Sequence, residues 1–259
     1  MITPLIVNGA AGRMGRRILA LASERPSEFR IVAGVDQKPG SVRDLGVAVD
    51  APVVVEIPAE RGAVVIDFSH HSAFAAVASR CAANGLALVS GTTGIEPSTL
   101  DAALAVACSA VPAMHAMNYS VGVNVVFQTA AQLAKVLGPE YDIEIVEGHH
   151  NQKVDAPSGT AYGIADAILA ATGRTRANLV HGREGQVGKR VKGEIGMHAL
   201  RLGDVVGDHS VYFVGNGERI LLGHVAHNRD IFAGGALRAA AWIVGKPPKR
   251  YAMKDVLGL

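Results

Sequence analysis

The stretch TPLIVNGAAGRMGRRILALASE, residues 3–24, constrains this chain more than any other. A short apolar run, PLIVN (4–8), passes through Gly9-Ala10-Ala11-Gly12-Arg13-Met14-Gly15 into a segment with helical apolar spacing. So abrupt a turn from strand to helix needs residues without side chains, and it leaves backbone amides at a helix start facing outward, where they suit a pyrophosphate. The next apolar run, RIVAGVD (30–36), ends on Asp36, 21 residues beyond Gly15, where a carboxylate can accept from ribose hydroxyls. Glycine spacing alone is weak evidence; the order strand, turn, helix, strand, acid is what points to a dinucleotide. Asp36 would repel a 2′-phosphate and so favours NADH, while the following Gln37-Lys38 keeps NADPH open.

The first half continues in the same alternation. AVVIDFS (63–69) and LALVSGTTG (86–94) read as buried strands, with the alanine-rich helical segment HSAFAAVASRCAANG (71–85) between them. Continuous apolar strands joined by helices predict a parallel sheet covered on both faces, a Rossmann-like doubly wound domain. Gly91-Thr92-Thr93-Gly94 falls at the carboxyl end of a strand, where such sheets bind ligands, so its backbone and hydroxyls can lie along a nicotinamide ribose. Asn118-Tyr119-Ser120 precedes a long helix, as a cap and hinge or as a cofactor contact with equal weight.

After about residue 118 the pattern changes. A helix over 121–138, an alternating strand at 141–148 and a glycine-closed helix at 158–173 precede three strand-like runs in 193–227. The Gly-Asp and Asn-Gly turns between those runs predict antiparallel neighbours. The reading is a second, α+β domain with a mixed sheet, covered by helices on one face and open to oligomerisation on the other. The dinucleotide-binding domain then comprises residues 1–120 and 229–259, the second domain residues 121–228, with the apolar segment 229–245 returning to pack on the first.

A net charge of +2 in 259 residues gives no nucleic-acid or membrane-surface signature, and no apolar run approaches the ~20 residues of a membrane span. MITPLIVNGAAGRMG enters directly on a strand without a basic leader, and Cys81 and Cys108 stand alone among small residues. Both features predict a cytoplasmic, reducing setting.

The chemistry concentrates in EGHHNQKVDAPSGTAYG (147–163). His149, His150 and Lys153 follow a strand, and Ser158-Gly159-Thr160 begins a helix. Amides at a helix start and two hydroxyls suit one carboxylate; the three potential cations suit a second and can donate a proton. No metal-ligand spacing frames them, and His224 with His227 reads as a strand end. An activated-cysteine dehydrogenase is a poor alternative, since Cys81 falls in an alanine-rich helix and Cys108 at a predicted strand start, neither beside a basic residue. A silent nucleotide sensor would have no use for this cluster.

GAAGRMGR (9–16), DFS (67–69), GTTG (91–94), NYSVGVN (118–124), IEIVEGHHNQKVDAPSGTA (143–161), REG (183–185) and ALRAAAWI (236–243) together resemble the 4-hydroxy-tetrahydrodipicolinate reductase family, in order over nearly the whole chain. The resemblance implies NADH- or NADPH-dependent reduction of a cyclic dicarboxylate imine in diaminopimelate and lysine biosynthesis, by a homotetramer assembled through the second domain's sheet. By position it implies His149 and Lys153 as the proton-donor pair, and His150, Ser158, Gly159 and Thr160 at a substrate carboxylate. It places Gly9 to Met14, Asp36, Gly91 to Thr93, and Ala116, Met117, Asn118 and Tyr119 against the cofactor. Gln37 departs from the basic residue often found there, Tyr119 stands where phenylalanine is common and would keep an aromatic surface for the nicotinamide, and Arg229 matches a frequent arginine. His70 and His71 receive no role beyond a helix start. With cofactor and substrate on different domains, hinge closure is expected.

Overall fold

A computed structural model describes residues 2–259. It divides into two compact units, residues up to Ser120 together with Asp230–Gly258, and Val121–Arg229 with Leu259.

In the first unit the chain runs β1 (Thr3–Asn8), α1 (Arg13–Ser23), β2 (Phe29–Val35), β3 (Gly40–Ser41), β4 (Pro52–Val54), β5 (Val64–Asp67), α2 (Phe74–Asn84), β6 (Ala87–Ser90), α3 (Pro97–Cys108) and β7 (Ala113–His115). The second unit supplies α4 (Val121–Leu137), β8 (Asp142–His149), α5 (Gly159–Thr172), β9 (Leu179–His181), β10 (Ile195–Arg201), β11 (Gly207–Val214) and β12 (Arg219–Ala226). The chain then completes the first unit with α6 (Asp230–Ile243), β13 (Arg250–Tyr251) and α7 (Met253–Leu257).

The first unit's eight-stranded sheet has the order β13-β7-β6-β5-β1-β2-β4-β3, parallel except for the β3–β4 pair. Alternate residues of each strand enter opposite cores. Leu5, Val7, Val64 and Ile66 pack with Ile18 and Leu19 of α1 and Leu237 of α6. Ile6, Val65 and Leu88 pack on the other face with Phe74 and Val77 of α2 and Leu104 of α3. Each such side chain contributes roughly 1.5–3 kcal/mol on burial, so both faces favour this Rossmann-like doubly wound sheet. Strand order reverses between β1 and β5, which leaves a crevice above their carboxyl ends.

The α3 helix corrects the sequence reading. Cys108 ends a helix and does not start a strand, and Pro97 opens that helix at a position where a missing N–H has no cost.

The second unit has a five-stranded mixed sheet, β12-β11-β8-β10-β9. Its three late strands do not form the consecutive antiparallel meander that their turns suggest. Only β11 and β12 make a hairpin, whereas β10 runs parallel to β8 and β9, and β8 lies between β10 and β11. Val126 and Ala130 of α4 and Ile164, Ala165 and Ile168 of α5 pack on Ile143, Ile145, Val211 and Phe213. The opposite face carries Leu200, Leu221 and Val225, all exposed. Among the described residues no helix is long and apolar enough to cross a membrane.

Candidate active site

The period of β8 builds the centre of the site. Ile143 and Ile145 point into the core beneath α4 and α5, and the same alternation sets Glu147 and His149 on that face at the carboxyl end. The antiparallel register brings His209 opposite Glu147, and Val211 opposite Ile145. The parallel register brings Arg201 opposite His149.

Glu147 is the hub, 1% exposed. Its carboxylate accepts from His149 Nδ1 at 2.5 Å, from the Ser158 amide at 3.2 Å, and from Arg201 Nη1 at 3.2 Å to each oxygen. A carboxylate facing Nδ1 fixes the proton on that nitrogen and leaves Nε2 as the exchangeable atom. Gly207 keeps Nε2 uncovered, since a Cβ there would stand 3.1 Å from it. The His149 ring stacks edge-on against His209, centroids 5.2 Å apart. Burial, then the neighbouring His149, His224 and Lys153, push His209 down to about 3, so this ring stays neutral.

The helix start is partly used by the protein itself. Ser158 is buried, its hydroxyl accepts from the Ala161 amide at 3.1 Å and lies 3.1 Å from His209 Nε2. With its amide on Glu147, Ser158 is a cap and a brace, contrary to the expectation that its hydroxyl and amide face substrate. Gly159, exposed at the first helical position, and half-exposed Thr160 remain at the mouth.

Lys153 Nζ donates to Asp155 Oδ1 at 2.8 Å, and this bond, its largest cause, holds the Asp155 carboxyl below the usual range. Arg201 Nη2 donates to the Asp155 carbonyl at 2.6 Å, tying the loop to the end of β10. His150 is half-buried, and its carbonyl accepts from the Lys153 amide. The structure therefore gathers His149, His150, Lys153, Gly159 and Thr160 at one strand end, and adds Glu147, Arg201 and His209, which sequence reasoning missed. Glu147 lay within the quoted stretch, and its place two residues before His149 on an alternating strand was the available signal.

The first unit presents a cradle of its own. Gly9 has φ +78°, and a Cβ there would lie 2.6 Å from the Phe68 carbonyl oxygen, while one on Gly15 would meet the Gly9 carbonyl at 2.1 Å. Gly12 caps α1 with extended backbone, Ala10 is buried, Ala11 and Arg13 are exposed and Met14 half-buried. The Asp36 carboxylate accepts from the Ala11 and Gln37 amides, each at 2.8 Å, at the edge of the glycine turn. A Cβ on Gly91 would penetrate the Phe68 ring at 2.3 Å. Thr92 turns its hydroxyl inward to Asp67 at 2.8 Å, leaving Thr93 as the exposed hydroxyl. The Ala116 amide donates to the Ser90 carbonyl, Met117 is 66% exposed, and the Asn118 side chain accepts from the Ser120 amide. Tyr119 is buried, and its hydroxyl donates to the Ser90 carbonyl at 2.7 Å, so its ring braces this loop where an open aromatic surface was expected. These close approaches, with an acid beside the start of α1, fit a dinucleotide.

Residues 3–119 match the family model of "Dihydrodipicolinate reductase, N-terminus", and residues 122–257 that of "Dihydrodipicolinate reductase, C-terminus". The chain belongs to the dihydrodipicolinate reductase family. Similar members include the 4-hydroxy-tetrahydrodipicolinate reductase of Myxococcus xanthus, 49% identical over 98% of this chain and 97% of that protein. The enzyme of the same name from Anaeromyxobacter dehalogenans (strain 2CP-1) is 47% identical over 100% of this chain and 98% of its own. In fold, the chain is similar to a dipicolinate-bound dihydrodipicolinate reductase from Paenisporosarcina sp. TG-14, with a TM-score of 0.76 at 24% identity over 97% of both chains. It is also similar to GenD2 of gentamicin A biosynthesis in complex with NAD, with a TM-score of 0.65 at 14% identity over 99% of this chain and 90% of that one.

Arg183 and His70 have structural work. Arg183 of the REG segment donates to Glu144 at 3.1 and 3.2 Å and to Glu194 at 2.6 Å, pinning a glycine-rich loop on the outer sheet face. His70 caps the turn before α2 through the Ser72 amide and hydroxyl, with the His71 ring 4.0 Å away. Burial raises the pKa of both Cys81 and Cys108, the reverse of an activated thiol.

Proposed function

We propose that this dihydrodipicolinate reductase reduces 4-hydroxy-tetrahydrodipicolinate to tetrahydrodipicolinate with NADH or NADPH, in diaminopimelate and lysine biosynthesis. Residues 1–120 and 229–259 serve as the dinucleotide-binding domain, residues 121–228 as the substrate domain. The observation that carries the reading is that His149, His150, Lys153 and the start of α5 lie together at the end of β8, in a chain of this family.

A planar dicarboxylate needs a grip at each end. The first-turn amides of Gly159 and Thr160 suit one carboxylate, helped by the positive end of α5. His150 and the Lys153 ammonium suit the other, with Lys153 exchanging its partner Asp155 for the substrate. That exchange costs little, because Asp155 is 57% exposed by side chain and such pairs are weak. Gly9 to Met14, Asp36, Gly91 to Thr93 and Ala116 to Tyr119 would hold the nucleotide, which supplies the hydride when bound. As negative charge builds on the conjugated imine, His149 Nε2 or Lys153 Nζ supplies the proton, while Glu147 holds the His149 ring through Nδ1.

The exposed outer face of the second sheet, with Leu200, Leu221 and Val225, supports a homotetramer closed through these strands. Light scattering behind gel filtration tests it, and a monomer at micromolar concentration would remove the idea. Two free cysteines, one buried, support a cytoplasmic setting. The activity is tested by following NADH and NADPH oxidation separately, with substrate made in situ by the upstream synthase. Turnover with at least one nucleotide is expected; none with either would sink the assignment.

A further inference from the structure

Asp67, the acid of the DFS segment, has no part in the reading above, and its surroundings are unusual. It is 0% exposed, at the carboxyl end of β5, directly opposite Asn8 at the end of β1. These are the two strands between which the sheet order reverses. Its carboxylate accepts five hydrogen bonds: to Oδ1 from Asn8 Nδ2 at 2.8 Å, the Ser69 amide at 3.2 Å and the Ser69 hydroxyl at 2.6 Å, and to Oδ2 from the Ser90 and Thr92 hydroxyls, each at 2.8 Å. All five donors are neutral, and no cation is among its partners in the described residues. The nearby His115 ring, whose Nε2 donates to the Thr92 carbonyl, has its pKa lowered by burial.

A carboxylate solvated only by dipoles keeps its full charge in a low-dielectric setting. Its influence already reaches the Tyr119 hydroxyl, which burial and then the Asp67 charge push well up. Every group that ties Asp67 down lies at the carboxyl end of β1 or β6 or in the loops that follow β5 and β6, at the crevice where a doubly wound sheet receives the nicotinamide half of a dinucleotide. The reduced ring is neutral and the oxidised ring carries one positive charge.

We propose that the buried Asp67 charge favours the oxidised, cationic nicotinamide over the reduced one, easing hydride release by stabilising the charge that release creates. The proposal rests on the dinucleotide reading of the first unit. Two unit charges within about 10 Å at an effective dielectric of about 20 change a binding constant about tenfold or more.

The test compares dissociation constants for NAD⁺ and NADH by calorimetry in wild type, Asp67→Asn and Ser69→Ala. Asp67→Asn should raise the ratio Kd(NAD⁺)/Kd(NADH) about tenfold. Ser69→Ala removes one hydrogen bond and keeps the charge, so the ratio should stay within about twofold even if both constants move. An unchanged ratio in folded Asp67→Asn, or an equal shift in Ser69→Ala, overturns the proposal. Should Asp67→Asn fail to fold, wild type is measured with benzamide adenine dinucleotide, an uncharged isostere of NAD⁺. About tenfold weaker binding than NAD⁺ supports the role of charge, and equal binding overturns it. If wild type binds neither NAD⁺ nor NADH, the dinucleotide reading itself falls, and the proposal with it.

Discussion

Replacing Glu147 by Gln tests whether His149 works through its neighbour. The two side chains have nearly the same shape, but the amide has one acceptor where the carboxylate has two. Glu147 receives donors on both oxygens, His149 and Arg201 on one, Ser158 and Arg201 on the other. If the amide N–H₂ turns towards His149, Nδ1 must become the acceptor and the ring proton moves to Nε2. A second proton on the ring would then set N–H against N–H. If it turns the other way, the Ser158 amide loses its acceptor and Arg201 one of its two, at about 1–3 kcal/mol for each buried donor left unsatisfied. A stability loss of about 2–4 kcal/mol and a kcat loss of roughly 10²–10⁴-fold follow, the range for disabling a positioned proton donor. Steady-state kinetics and urea melts measure both, and ¹⁵N shifts of the His149 ring report the tautomer. NADH affinity should stay within about threefold, because no cofactor residue changes. A folded variant with near wild-type kcat, or an unchanged ring tautomer beside a lost rate, would refute this reasoning.

Lys153→Met should lower kcat by about 10²-fold or more with nucleotide affinity near wild type; undiminished turnover would remove Lys153 from the proton-donor pair. Gly207→Ala places a methyl 3.1 Å from His149 Nε2, tighter than ordinary contact, so kcat should fall about tenfold without loss of nucleotide binding. His209 should make the protein acid-labile: its folded value, about 3, lies below an ordinary 6.5, so between those pH values the unfolded chain takes up a proton that the folded one refuses. Stability therefore falls as pH drops through that window, by about 2 kcal/mol between pH 7 and pH 5, and His209→Gln should abolish that part of the loss in urea melts.

Much of this architecture was legible because it is local or periodic. The strand–glycine–helix entry at 4–24 and the continuous apolar strands announce the parallel sheet, and the helix start at Ser158 reads from its capping residue. What escaped was set by pairing at a distance. Arg201 meets Glu147 only because β10 lies parallel to β8, and nothing near residue 201 shows that. The Gly-Asp turn before β11 marks where the chain reverses, not which strand fills the gap, and β8 fills it. Ser158 and Tyr119 show a second limit. A hydroxyl or ring in a binding motif can be used up by the protein itself, and only the partners, Glu147, His209 and Ser90, reveal that.

Glu147 and Asp67 also show why burial of an acid does not by itself predict its role. Both are essentially inaccessible, and both sit at carboxyl ends of strands. Glu147 has an arginine on both oxygens and a histidine on one, so little net field leaves it, and its effect is geometric: it sets a ring proton and an arginine. Asp67 has five neutral donors, which satisfy its lone pairs without cancelling its charge. Hydrogen bonds lower the cost of keeping such a charge buried, but the net −1 still acts on whatever approaches. Removing Glu147 should therefore disturb orientation and a proton, whereas removing Asp67 should alter which charge state of a ligand is preferred. The two substitutions, chemically alike, should separate in their readouts: a rate and a tautomer for one, a ratio of affinities for the other.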